Sequence, residues 1–102
     1  MLVFNTTYTI QNEDARNFVI WVHQCYLPRV AEHGALSNPR MLRILSHKDE
    51  ETECFSLQFD VKDSASLHTW YTQQGQSLAD EMKKMFEDRF VGFSTIMEVI
   101  EG

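Results

Sequence analysis

From Leu2 to Ile10 the chain alternates, with Leu2, Phe4, Tyr8 and Ile10 on one side and Asn5, Thr7 and Thr9 on the other. Alternation at period two among aromatic and β-branched residues predicts a strand with one buried face. The period then lengthens. Ala15, Phe18, Val19, Val22, Tyr26 and Val30 recur at steps of three and four, which predicts a helix over residues 13–33. Asn12 stands as its N-cap, Glu13 and Asp14 suit the positive end of its dipole, and Gly34 supplies the stop. Pro28 lies inside this stretch, lacks an N–H for the Gln24 carbonyl and predicts a kink near Tyr26–Leu27.

A second strand is predicted over 36–46, with Pro39 near its start, and the charged run His47–Glu51 makes a connection of hairpin length. The third strand, 52–61, shows the cleanest alternation: Phe55, Leu57, Phe59 and Val61 against Cys54, Ser56, Gln58 and Asp60. Asp63 or Ser64 caps a second helix whose apolar line runs through Leu67, Trp70, Tyr71, Leu78, Met82, Met85 and Phe86. Gly75 weakens that line by about 1 kcal/mol relative to Ala, and Ser77 offers a fresh cap, so this helix is expected in two pieces. A last strand spans 90–100.

The order is therefore βαββαβ. Two right-handed β-α-β units joined by a hairpin give one antiparallel four-stranded sheet with both helices on one face, an α+β ferredoxin-like fold. The sequence places Phe55, Leu57 and Phe59 toward the helices. The opposite face gains Val3, and both alternating sets of the last strand hold apolar residues, Phe93, Met97 and Val99 against Ile96 and Ile100. A half-apolar second face calls for a cover, and a second copy of the chain stacked about a two-fold axis supplies it. We therefore expect a homodimer.

At 102 residues the chain has room for one domain, 1–102, and its 43% hydrophobic and 12% aromatic content suits a packed core. Nine basic and fifteen acidic residues give a net charge of −6, which repels nucleic acid and anionic membranes. The one adjacent basic pair, Lys83–Lys84, is flanked by Asp80, Glu81, Glu87 and Asp88, so it makes no basic patch. The strand order is also that of the RNA-recognition motif, but the exposed sides of the first and third strands would show Asn5, Thr7, Ser56 and Gln58 rather than aromatics. No apolar run approaches a membrane span, the longest being Phe18–Val22. The opening Met1–Asn5 lacks a secretion leader, which points to a small acidic cytoplasmic protein with free thiols at Cys25 and Cys54.

Catalytic and metal chemistry find little support. His23, His33, His47 and His68 show no paired ligand spacing, and Cys25 has no histidine at helix-neighbour spacing to activate it. The Asp49-Glu50-Glu51-x-Glu53 run lacks the glycine and alternating oxygens of a calcium loop. We nominate no catalytic residue, metal or cofactor.

Three stretches resemble a known family: Trp21…Tyr26-Leu27-Pro28-x-Val30, Phe55-Ser56-Leu57-Gln58-Phe59, and Phe86…Arg89-Phe90-Val91-x-Phe93. Together they are similar to a bacterial family of short proteins described only as a domain of unknown function, across nearly the whole chain. Its members resemble the dimeric α+β barrel proteins, which include cofactor-independent antibiotic-biosynthesis-type monooxygenases and stress-responsive barrel proteins. The resemblance implies the ferredoxin-like fold and the dimer, and no activity. The family pattern often has a histidine before the Ile/Leu-Pro pair; here Tyr26 takes that place, so any base there is missing.

In the barrel proteins, small ligands bind between helices and sheet. Trp21, Tyr26 and Trp70 stand on the two helices that cover that gap, and Arg40 on the second strand is the cation nominated to orient an acidic ligand. Two readings follow. One is a non-catalytic dimeric module whose rings fill the core. The other is a binder, or a cofactor-independent monooxygenase-like enzyme, for a small apolar ligand in the helix–sheet cleft.

Overall fold

In the computed structural model, which describes residues 1–102, β1 (Leu2–Gln11) runs between β3 (Thr52–Val61) and β4 (Phe90–Glu98), while β2 (Leu36–Arg43) pairs with β3 on its far side. The order β2-β3-β1-β4, antiparallel throughout, is that of the ferredoxin-like fold. The core lies on one side of the sheet. Tyr8 and Ile10 of β1, with Phe55, Leu57, Phe59 and Val61 of β3, pack under Phe18, Val22, Val30, Leu67, Trp70 and Leu78 from the helices. The alternation of β3 is thus realised as read.

Both helical stretches run on without an unwound segment, which corrects the expected break of the second helix. The first comprises α1 (Asn12–Trp21), a π-helical turn (Val22–Tyr26) and α2 (Leu27–His33); the second comprises α3 (Ser64–Trp70), a π-helical turn (Tyr71–Gly75) and α4 (Gln76–Phe86). Around Pro28 the disturbance takes the form of a π turn. The turn ahead of it widens so that the Leu27 N–H reaches back five residues to the Val22 carbonyl. The same shift occurs at Gly75, where the Gln76 N–H donates to the Tyr71 carbonyl. Gly75 keeps ordinary helical dihedrals (φ −62°, ψ −42°), and no side chain, Ser77 included, caps α4.

The ends follow local chemistry. Gly34 takes the left-handed conformation (φ 87°) that stops α2, as its composition predicts. Asp63 caps α3 by accepting from the Ser66 N–H at 2.8 Å, and that bond holds its carboxyl below the usual range. Asn12 does not cap its own helix. Its backbone N–H and side-chain amide donate instead to the Glu51 and Glu50 carbonyls, pinning the β2–β3 loop to the start of α1. Opposite them, Asp14 accepts from Arg89 at 2.8 Å and joins α1 to the approach to β4.

Candidate functional site: an aromatic cleft beside strand β4

The second rod stands away from β4 and leaves a cleft of about 450 Å³. Phe4, Thr6 and Tyr8 come from the helix-facing side of β1, and Gly92 and Ser94 from β4. The π turns deliver the remaining walls: Tyr26 ends the first, and Tyr71 and Gly75 bound the second, just after Trp70. π turns re-aim side chains that a regular helix would carry past, which is why they recur at functional sites. An adjoining groove of about 320 Å³ shares Phe4, Tyr71 and Ser94 and adds His68 and Ile96.

Two glycines shape the space. A Cβ on Gly75 would stand 2.6 Å from the Trp70 ring, and one on Gly92 would stand 3.0 Å from the Tyr8 ring. Both absences let a ring lie flat against backbone. Trp70 also packs on Phe4, with centroids 5.9 Å apart, and its indole N–H is buried without an acceptor.

Hydroxyls supply the polarity. The Thr6 and Ser94 oxygens lie 3.1 Å apart, and the Tyr8 and Tyr26 phenols are both buried. Burial raises the pKa of each phenol, Tyr26 strongly, because the phenolate would lose its hydration; the Tyr8 side chain reinforces the rise at Tyr26. At Tyr8 the neighbouring Thr6 and Tyr26 hydroxyls pull partly the other way. Near neutrality the cleft therefore presents hydrogen-bonding groups without a formal charge on either phenol. Since both folded values lie above the ordinary 10.0, the stability these groups contribute is complete below that pH and declines above it. In an alkaline titration followed by phenolate absorbance, two of the three tyrosines should ionise only together with unfolding. Reversible ionisation of all three in the folded protein would contradict the burial.

Of the four nominated residues, the structure brings Tyr26 and Trp70 into this cleft. Trp21 stands one ring behind, packed on Tyr26 (6.0 Å) and Phe86 (6.2 Å), and fronts a different groove with Ile20, Met85 and Arg89. Arg40 is on the opposite side of the sheet, in register with Gln58, and cannot orient a ligand in the cleft. The cation at the rim is Lys83, with Asp88 near it. Thr6, Tyr8 and Ser94 were not named as site residues from sequence, and Gly75 was read as a break in the second helix rather than as part of a cleft wall. Tyr8 alone carried a signal, since it shares the inward alternation of Phe4 and Ile10. No three His, Cys, Asp or Glu side chains gather as a metal would need, and no helix is long and apolar enough to cross a membrane.

The model of a domain of unknown function, DUF4286, matches residues 1–100. No curated protein sequence matches the chain. Among solved structures, a proposed antibiotic biosynthesis monooxygenase from Deinococcus radiodurans superposes with a TM-score of 0.72 at 14% identity, covering 100% of this chain and 95% of that one. A dimeric ferredoxin-like protein from an uncultured marine organism gives 0.71 at 14% identity, with 99% and 97% covered. An ethyl tert-butyl ether d (ethd) family protein from Bacillus halodurans gives 0.66 at 16% identity, with 93% and 97% covered. At these identities the likeness establishes the fold.

Proposed function

We propose, for a chain that belongs to the DUF4286 family of unknown function, that it binds a small, neutral, largely aromatic molecule in the cleft beside β4, as a cytoplasmic homodimer. The observation that carries this is the cleft itself: aromatic walls from Phe4, Tyr26, Trp70 and Tyr71 around the hydroxyls of Thr6, Tyr8, Tyr26 and Ser94. Such a site gains from apolar burial and orients its ligand by a few hydrogen bonds. A charged ligand would lose hydration there and meet only Lys83 and Asp88, of opposite sign, at the rim.

Binding fits better than catalysis. Burial keeps Tyr8 and Tyr26 protonated, so neither phenol serves as a base near neutral pH. The monooxygenase-like alternative draws on the description of the Deinococcus protein. It would have to ionise its substrate with His68, from the adjoining groove.

The probe we choose is 2-naphthol, a planar neutral phenol that fits the volume. Titrated into the protein, it should quench Trp70 saturably, with a Kd on the order of 10–100 μM for so small a ligand. Ser94→Val should weaken it several-fold by removing one hydroxyl. Unchanged fluorescence and an unchanged melting temperature at saturating probe would sink the reading.

The homodimer is supported by the sheet's open face, where Val91, Phe93 and Met97 of β4 stand exposed. The similar marine protein is itself described as dimeric. In light scattering the chain should run at about 24 kDa, twice its 12.0 kDa; a 12.0 kDa species would count against it.

A further inference from the structure

The cleft is not closed by this chain alone. Val91 and Phe93 border its mouth, yet they pair with Thr9 and Thr7, so their side chains project from the open face of the sheet. They are 68% and 61% exposed. The mouth thus runs along the free edge of β4, the same strand that carries these two exposed side chains on the face opposite the helices. Resting on the cleft reading above, we propose that a second copy of the chain, stacked on the open face, supplies the missing wall at Val91 and Phe93.

Three features argue for a second copy as the occupant. By register, the only charged strand residues on the open face are Arg40 and Asp60. In a chain of net charge −6, a face whose charges sum to zero lets two copies meet without net local repulsion. Second, four strands about 4.8 Å apart and about nine residues long cover roughly 600 Å². A stacked pair then buries about 1,200 Å², the lower bound for specific interfaces.

Third, the two sheet edges are unlike. β2 is interrupted by a bulge between Ser37 and Arg40, with Asn38 at φ 50° and Pro39 beside it, and carries Arg40 and Arg43. These are the devices that keep an edge from pairing. β4, Phe90–Glu98, has no proline, no bulge and no charge before Glu98. An edge left this bare is one that the assembly covers. The middle of the face is already satisfied: the Ser56 hydroxyl donates to Asn5, whose amide donates to Thr7 at 3.1 Å. It can be buried without stranding those side chains.

Binding at the cleft and association through the face are then coupled, each strengthening the other by the same factor. Thr95 tests this, because it is exposed on the open face opposite Asn5 and does not line the cleft. Thr95→Arg and Thr95→Glu each place two like charges in the stacked interface, whatever the sign. Both variants should become monomers with native circular dichroism, and their 2-naphthol affinity should fall about tenfold. Amide exchange at Val91–Ser94 should quicken in both. The proposal is overturned if the wild type is monomeric, if both variants still dimerise, or if a monomeric variant binds the probe as tightly as the wild type. If even the wild-type dimer ignores 2-naphthol, the cleft reading fails on its own. The shared wall is then judged by exchange, and equal rates at Val91–Ser94 in dimer and monomer overturn it. Should either variant misfold, the other and exchange on the diluted wild type carry the comparison.

Discussion

Phe18→Ala should cost about 3–5 kcal/mol, the range for deleting a fully buried ring and leaving its cavity. Against a total of about 5–15 kcal/mol for such a domain, that is from about a fifth to all of the stability. Phe18 is wholly inaccessible and meets three rings at once: Tyr8 at 5.1 Å, Phe86 at 5.6 Å and Phe55 at 6.0 Å. Those rings belong to β1, α4 and β3, so one side chain ties both rods to the two central strands. The cavity cannot collapse easily, because its walls are rings already packed on one another, as Phe86 is on Phe90. At about 4–8 °C per kcal/mol, the melting temperature should fall by roughly 12–40 °C. Phe18→Leu should recover about half. A loss under about 1.5 kcal/mol in urea unfolding would mean that the cluster relaxes around the hole. Met85→Ala makes the control, since that side chain on α4 is exposed and lies outside the proposed dimer face.

Where one face of a regular element is buried, the sequence shows it. The inward set of β3 and the inward set of β1 needed only period two, and Phe18, Val22, Leu67 and Leu78 needed only the helical spacing. The misses have a common cause: a one-residue change of phase that no local rule announces. Arg40 is the clearest. Leu36 pairs with Val61, and an uninterrupted register would set Arg40 opposite Leu57, facing the helices; the bulge at Asn38–Pro39 moves it opposite Gln58 and turns it to the other side. In the first rod, Trp21 and Tyr26 lie five apart, a spacing that diverges on a regular α-helix. The π turn between them brings their rings to 6.0 Å and leaves only Tyr26 in the cleft. Lys83 was obscured differently: its acidic neighbours in sequence describe a solvated surface, while its place on α4 over the rim follows from the packing of the whole rod.

Gly75→Ala sets propensity directly against packing. Gly75 has helical dihedrals, so alanine there should be favoured by about 0.4–1 kcal/mol through the unfolded chain and helix propensity. The added methyl, however, would stand 2.6 Å from Cζ3 and 2.9 Å from Cη2 of Trp70, closer than two carbons can sit. Trp70 is buried and backed by Phe4, so the ring cannot retreat into the core. It can move only by forcing the rod off the sheet or by swinging into the cleft. Overpacking of this kind costs about 1–3 kcal/mol, so the sum should be a net loss of about 1–2 kcal/mol despite the better helix former. The readouts separate the two routes. If the rod lifts, the melting temperature falls while 2-naphthol still binds. If the ring swings, stability is partly recovered, Trp70 emission shifts and probe binding disappears. A Gly75→Ala protein that is more stable than wild type, with probe binding intact, would mean that the close seating of Trp70 does not shape the cleft. The glycine that reads as a helix break is, on this argument, what lets an indole form the cleft's inner wall.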